Sequence, residues 1–201
     1  NKDLSFDDYV YLRVIALFVE SLHNGRPYNE FFLYAKNYNI QPASFLKILN
    51  DNIKKASPNI QKLVDEFRKE TEGELWESEN DLLKHYRKNE NYKKLKNGEV
   101  GGNLIYKYKV KAITENYQDW LIFLKDQLYK AILEKVVNLK NVDKVKSEIE
   151  DISNFTKLKL HGLLNPSIDN GPVEAYFDYD VINWIDNYDE KNHLSNFKFE
   201  K

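Results

Sequence analysis

Apolar residues recur at three- and four-residue spacing along most of this chain. The breaks between them fall at Gly, Pro, Asn and Ser, which predicts helices joined by tight turns. Ser5-Phe6-Asp7-Asp8 has the form of a capping box with Asp8 in the usual Glu position. Tyr9, Leu12, Ile15, Ala16, Phe18 and Val19 then form one broad apolar face. Asn24-Gly25 stops that helix, with glycine suited to a left-handed cap. Pro27 opens a second helix through Phe31, Phe32 and Ala35. Pro42 opens a third, which turns Phe45, Leu46, Leu49 and Ile53 inward. Ser57-Pro58 starts a fourth, carrying Ile60, Leu63, Val64 and Phe67.

Residues 70–76 read as a break at Gly73, after which Leu75-Trp76 re-anchor the chain on the core. Ser78 caps a fifth helix through Leu82, Leu83 and Tyr86. Asn89 starts a short helical turn ending at Asn97-Gly98. Residues 104–113 fit two templates. Tyr106, Tyr108 and Val110 alternate with lysines as in a strand, while Leu104, Ile105, Tyr108 and Ala112 share a helical stripe. Asn103 as an N-cap and the helices that follow favour the helix. Trp120 to Leu139 is the longest helical pattern, and Asn141 caps another with Val142, Val145, Ile149 and Ile152 inward.

The pattern changes after Gly162. Asn165-Pro166 and Asn170-Gly171-Pro172 signal loops. Val173–Phe177 and Phe197-Lys198-Phe199 are candidate strands, and Asp180 caps a helical turn bearing Ile182, Trp184 and Ile185. The expected fold is therefore mainly α. Residues 1–162 form a multi-helix bundle, and residues 163–201 form a C-terminal α+β flap with one strand pair, packed on the same domain.

Composition narrows the chemistry. Of 201 residues, 42% are hydrophobic, enough for a real core. Charged residues make up 31% but nearly cancel, to a formal net charge of −2, which argues against a duplex-DNA binder. The cation is almost always lysine; the arginines are Arg13, Arg26, Arg68 and Arg87. The chain contains no cysteine, so it offers neither a disulfide, a zinc–thiolate site nor a cysteine-ligated cluster. With no methionine even at its start, it reads as a piece of a longer product. No apolar run reaches about 20 residues and no signal peptide is visible, so the expected location is cytoplasmic.

No catalytic, cofactor-binding or metal-binding set can be assigned from the residues. Gly101-Gly102-Asn103 precedes the expected helix, on which Lys107 and Lys111 share a face. Helix N-terminal amides plus lysines can hold an anion; a tight packing turn is the plainer reading. His23, His85, His161 and His193 never pair at metal-ligand spacing. Glu70, Glu72, Glu74, Glu77 and Glu79 suit a solvated acidic loop better than a hard-cation site. The Tyr106–Lys111 alternation admits a single-stranded nucleic-acid surface beside the reading of packed tyrosines with solvated lysines. Trp76, Trp120 and Trp184 are expected in the core, and a tryptophan lining a cleft would signal function instead. The candidate ligand or partner contacts are Trp76, Gly101, Gly102, Asn103, Lys107 and Lys111.

One segment carries a resemblance. Its features are Glu74-Leu75-Trp76, Ser78, Tyr86, Glu90-Asn91-Tyr92, Gly98-Glu99, Gly101-Gly102-Asn103-Leu104 and Tyr106-Lys107-Tyr108-Lys109. Residues 74–111 thereby resemble part of the C-terminal region of cobalamin-binding radical SAM proteins. Tyr11-Leu12-Arg13 and Asn24-Gly25-Arg26-Pro27 look similar to an earlier part of that region, and Phe177-Asp178-Tyr179-Asp180 with Trp184 to its end. The resemblance implies a parent enzyme using S-adenosylmethionine, a [4Fe-4S] cluster and cobalamin. Its cluster-binding CxxxCxxC loop has no counterpart in a chain without cysteine. The implied role is a non-catalytic helical accessory domain that shapes substrate access or docks a partner, next to upstream catalytic domains of the same polypeptide. A free-standing helical interaction module is the alternative.

Overall fold

The computed structural model describes residues 4–136, 141–165 and 174–200. Among them the chain is mainly helical. Ser5 caps α1 (Phe6–Phe18) by accepting the Asp8 amide at 3.1 Å. A π-helical turn, Val19–His23, extends it, and Gly25 with φ +78° ends the run. Then come α2 (Asn29–Asn37), α3 (Pro42–Asp51), a 3-10 turn (Ile53–Lys55) and α4 (Pro58–Gly73). The short helices α5 (Glu79–Tyr86) and α6 (Asn89–Lys96) follow. α7 (Leu104–Thr114), α8 (Tyr117–Lys135) and α9 (Val142–Leu164) complete the bundle, and α10 (Val181–Asp186) with a 3-10 turn (Leu194–Phe197) lies at the C-terminal end.

Residues 104–113 take the favoured helix, begun by Asn103 Oδ1 accepting the Tyr106 amide at 3.1 Å. Several other expectations are corrected. The buried face of α1 is Val10, Val14, Leu17 and Phe18, whereas Leu12 is exposed. Apolar residues surround this helix almost completely, so periodicity alone could not phase it. Pro27 sits in a turn, and α2 begins two residues later. α4 continues through Gly73, which places Glu70 and Glu72 on a helix and not in a loop. α9 runs two residues past Gly162.

The expected C-terminal strand pair is replaced, among the described residues, by one antiparallel bridge between Tyr179 and Lys198. The Asp180 amide donates to the Phe197 carbonyl at 2.8 Å and the Phe199 amide to the Asp178 carbonyl at 3.0 Å. The pairing goes no further because Asp180 already caps α10, accepting the Asn183 amide at 3.0 Å, and the Leu194–Phe197 turn occupies the other side. Residues 174–177 form no strand, and Val173 lies outside the described residues, as do the loop signals at 166 and 170–172 and the far end of the Trp120–Leu139 pattern.

One core joins these elements. α8 packs along α9, α1 packs on α4, and α7 fits between α4 and the end of α1. Trp120 is 1% exposed and meets the Phe18 ring edge-on at 5.3 Å. Trp184 is fully buried, and its Nε1 donates to the Asn192 carbonyl at 3.1 Å. The C-terminal segment is fastened to α9 by Asp151, which accepts the amides of Asp178 and Tyr179 at 2.7 and 2.9 Å. It is fastened to α2 by Tyr188, which donates to the Leu33 carbonyl at 3.0 Å.

Acids are buried where α2 meets α9. Glu30 accepts from Lys159 at 2.7 Å and from Thr156 at 3.0 Å. Tyr34 donates to Glu148, whose other carboxylate oxygen has no partner among the described residues. Burial pushes the Glu148 carboxyl above the usual carboxylate range, against the opposing effects of the Tyr34 bond and the Lys144 charge.

Two predictions follow from this packing. Trp120→Ala should cost about 3–5 kcal/mol, the usual loss for a large buried aromatic, read as a lower urea midpoint. An unchanged midpoint would contradict the burial of that side chain. For Glu148, the raised folded-state pKa means the native protein binds the extra proton. The stability this group contributes is full below the ordinary carboxylate pKa and is lost as pH rises through the raised value. The stability of Glu148→Gln relative to the parent should therefore improve as pH rises above the ordinary carboxylate value of about 4 and through the raised one. A difference that stays flat with pH would refute the buried, protonation-linked carboxyl.

Candidate functional site

Between Thr71 and Leu104 no residue is buried. This stretch, carrying α5 and α6, is an arm that leaves the bundle at the end of α4 and returns at the start of α7. Its two helices pack on each other. Ser78 caps α5 by accepting the Asp81 amide at 3.2 Å. Leu82, Leu83 and Tyr86 of the expected fifth helix stay partly or largely exposed. Gly98, with φ +73°, ends α6, and Gly101, with φ +77°, turns the chain back toward Asn103.

A cleft of about 1070 Å³ lies between the arm and the bundle. Trp76, His85 and Tyr86 form an aromatic wall, with Trp76 4.7 Å from the His85 ring and 6.3 Å from the Tyr86 ring. Glu70, Glu74 and Glu99 bring carboxylates to it, and Lys94 and Lys107 bring ammonium groups. Gly101, Gly102 and Asn103 form its rim. Trp76, expected in the core with the other two tryptophans, thus lines a cleft instead.

The structure brings together Trp76, Gly101, Gly102, Asn103 and Lys107, and leaves Lys111 outside. Lys111 reaches Glu66 at 3.7 Å and lies over the Tyr108 ring at 5.1 Å. Lys107 grips both oxygens of Glu70 at 2.7 and 2.8 Å, and Tyr108 donates to the same carboxylate at 2.8 Å. Burial opposes ionisation of Glu70, yet the bonds from Lys107 and Tyr108 hold its pKa below the usual carboxylate range. Both lysines proposed for an anion cradle are therefore engaged by carboxylates of α4. Tyr106 is 66% exposed and Tyr108 fully buried, so the two do not form a common stacking surface.

Among the described residues no three His, Asp or Glu side chains gather at metal-binding distance. No described helix is long and apolar enough to cross a membrane. Comparisons with protein-family models, curated proteins and solved structures return no match.

The two glycines of the turn differ. A Cβ on Gly101 would lie 2.8 Å from Leu95 Cδ1, and its φ is left-handed. A Cβ on Gly102 would meet nothing within 4 Å, and its φ is not positive. Gly101→Ala should destabilise the arm by about 1 kcal/mol or more, while Gly102→Ala should be near neutral. Amide hydrogen exchange across residues 89–103 separates the two; equal effects would overturn this account of the turn.

Proposed function

We propose that this chain is a non-catalytic helical accessory domain of a cobalamin-dependent radical SAM enzyme, and that its cleft shapes substrate access or docks a partner. One observation carries the reading. Many of the residues that carry the resemblance over 74–111 meet at one cleft: Glu74, Trp76, Tyr86, Gly98, Glu99 and the Gly101–Leu104 turn line it, while Leu75, Ser78, Glu90, Tyr92, Tyr108 and Lys109 do not. A structural filler segment would spread such positions through the core, whereas here the arm contributes no buried residue. The chemistry of the parent would come from S-adenosylmethionine, the [4Fe-4S] cluster and cobalamin held by upstream domains. This chain's residues supply shape, aromatic surface and fixed charge, and with no cysteine they contribute no cluster ligand.

A free-standing interaction module is the second reading. It is favoured by the exposed Leu75, Leu83, Tyr92, Leu95 and Val100 of the same arm. A single-stranded nucleic-acid surface is weaker, because Lys107, Lys109 and Lys111 each have a carboxylate partner.

The deciding experiment isolates the natural gene product that contains this sequence. Intact mass gives its length, and iron analysis with corrinoid absorbance gives its cofactors. The expected product is a longer polypeptide with cluster iron and bound corrinoid. A product with neither iron nor corrinoid, and no CxxxCxxC segment, would reject the enzyme reading in favour of the module.

A further inference from the structure

Trp76 is the one tryptophan that the core does not take up. Trp120 and Trp184 are 1% and 0% exposed, whereas Trp76 is half-buried, as are His85 and Tyr86 beside it. We propose that this aromatic wall makes the cleft a site for an organic ammonium group, held on the ring faces and balanced by Glu74 and Glu99. The proposal rests on the reading of the cleft as the place where a substrate or partner enters, and it names the chemistry of what enters.

The rings carry the argument. The ring centres of Trp76 and His85, Trp76 and Tyr86, and His85 and Tyr86 lie 4.7, 6.3 and 5.0 Å apart. Their planes are tilted by 55° to 82°, so the three do not close into a parallel stack. Large aromatics left half-open contribute less to stability than they would inside a core, and an open apolar cluster of this kind marks a contact surface. A ring face attracts a cation through its quadrupole, and tryptophan does so best. Elsewhere the chain covers such faces itself. Arg13 stands over Phe67, Lys107 and Lys111 over Tyr108, and Lys198 over Tyr179, at 5.1 to 5.9 Å. Among the described residues no Lys or Arg stands over Trp76 or Tyr86, which leaves those faces to a cation from outside.

Charge points the same way. Lys107 is bound to Glu70 at 2.7 Å and Lys94 faces Glu90 at 3.7 Å, so each ammonium group of the cleft has a carboxylate. Glu74 has no side-chain partner among the described residues, and Glu99 has only the Asn97 amide at 3.4 Å. Two exposed acids would hold any cation loosely, and it is the ring faces that select one with an apolar skin. No three His, Asp or Glu side chains gather at metal-binding distance among the described residues, so the cation that fits is organic. At about 1070 Å³ the cleft also has room for the rest of the molecule that carries it.

The test titrates the whole chain with choline, with propylamine, and with the neutral alcohol in which carbon replaces the choline nitrogen. Ionic strength is matched with sodium chloride. NMR follows the methyl protons of each probe and the Trp76 indole Nε1–Hε1 resonance. The expected result is saturable movement of the Trp76 resonance with choline or propylamine, with the methyl protons shifted upfield by the ring current. The neutral alcohol should bind about fivefold more weakly than choline, or less well still. Tighter binding of choline assigns a quaternary ammonium ligand, and tighter binding of propylamine a primary amine. Trp76→Leu keeps apolar bulk but loses the ring, and should weaken binding about fivefold. Glu74→Gln combined with Glu99→Gln should weaken it several-fold. Failure of both ammonium probes to saturate up to about 0.1 M would overturn the proposal. So would a neutral alcohol that binds as tightly as the ammonium probes, or unchanged affinity in either folded variant. If Trp76→Leu does not fold, the ring-current shift and the alcohol comparison in the parent chain decide. A chain that fails this test can still come from a gene product with iron and corrinoid, so the accessory-domain reading stands or falls separately.

Discussion

The arrangement of this protein's open surface depends on the junction made by Glu70. It lies in the last turn of α4, just before the chain leaves the bundle, and binds Lys107 and Tyr108 in the first turns of α7, just after the chain returns. Residues 72–103 between these points bury nothing, so no hydrophobic core of their own fixes their position. The distance between the arm's two roots is set instead by one carboxylate, one ammonium and one buried phenol. Phe67 and Tyr108 reinforce it one turn away, with ring centres 5.4 Å apart. An exposed Lys–Glu pair is worth little, but this one shares its carboxylate with a tyrosine whose body is in the core. That geometry leaves a cleft where a packed interface would otherwise be.

The same junction explains why the two sides of the Gly101–Asn103 corner differ in charge. On the cleft side, Lys107 is neutralised by Glu70, while Glu74 and Glu99 outnumber Lys94, so the wall is aromatic and mildly acidic. On the other side, Glu20 is matched to Lys109 with Arg13 beside them, so the charged groups there sum to a positive balance. One short turn therefore borders two surfaces of different charge. Gly101 makes this possible through its left-handed φ, and Gly102 keeps the corner thin.

Much of the helical order was legible because it is written in local chemistry. Ser5, Ser57, Ser78, Asn103, Asn141 and Asp180 were readable as caps, and each accepts an amide at the start of its helix. The inward faces of α3 and α4 were equally clear, because polar residues flank them and fix the phase. α1 was misphased for the opposite reason: Leu12, Tyr11 and Phe6 compete with Val10, Val14 and Leu17, and only the neighbours decide. The Tyr106–Lys111 segment shows the limit of alternation as a signal. Lysines at every second position satisfy a helix just as well when α4 and the end of α1 offer carboxylates at Glu66, Glu70 and Glu20. The C-terminal strands were overcalled because β-prone residues there are already committed to a capped turn and to Asp151.

The site was legible in part, and the missing part has a single physical cause. Trp76 and the Gly-Gly-Asn turn stood out because unusual residues cluster within a short run. The neutralisation of Lys107 and Lys111 did not stand out, because their partners Glu70 and Glu66 lie about forty residues earlier, on α4. Charge pairing is a property of the folded neighbourhood, and a sequence shows only the supply of charges. Each α7 lysine in the Tyr–Lys alternation is matched by a carboxylate of α4 or of the π-helical turn, so the conspicuous lysines fasten the helix to the bundle.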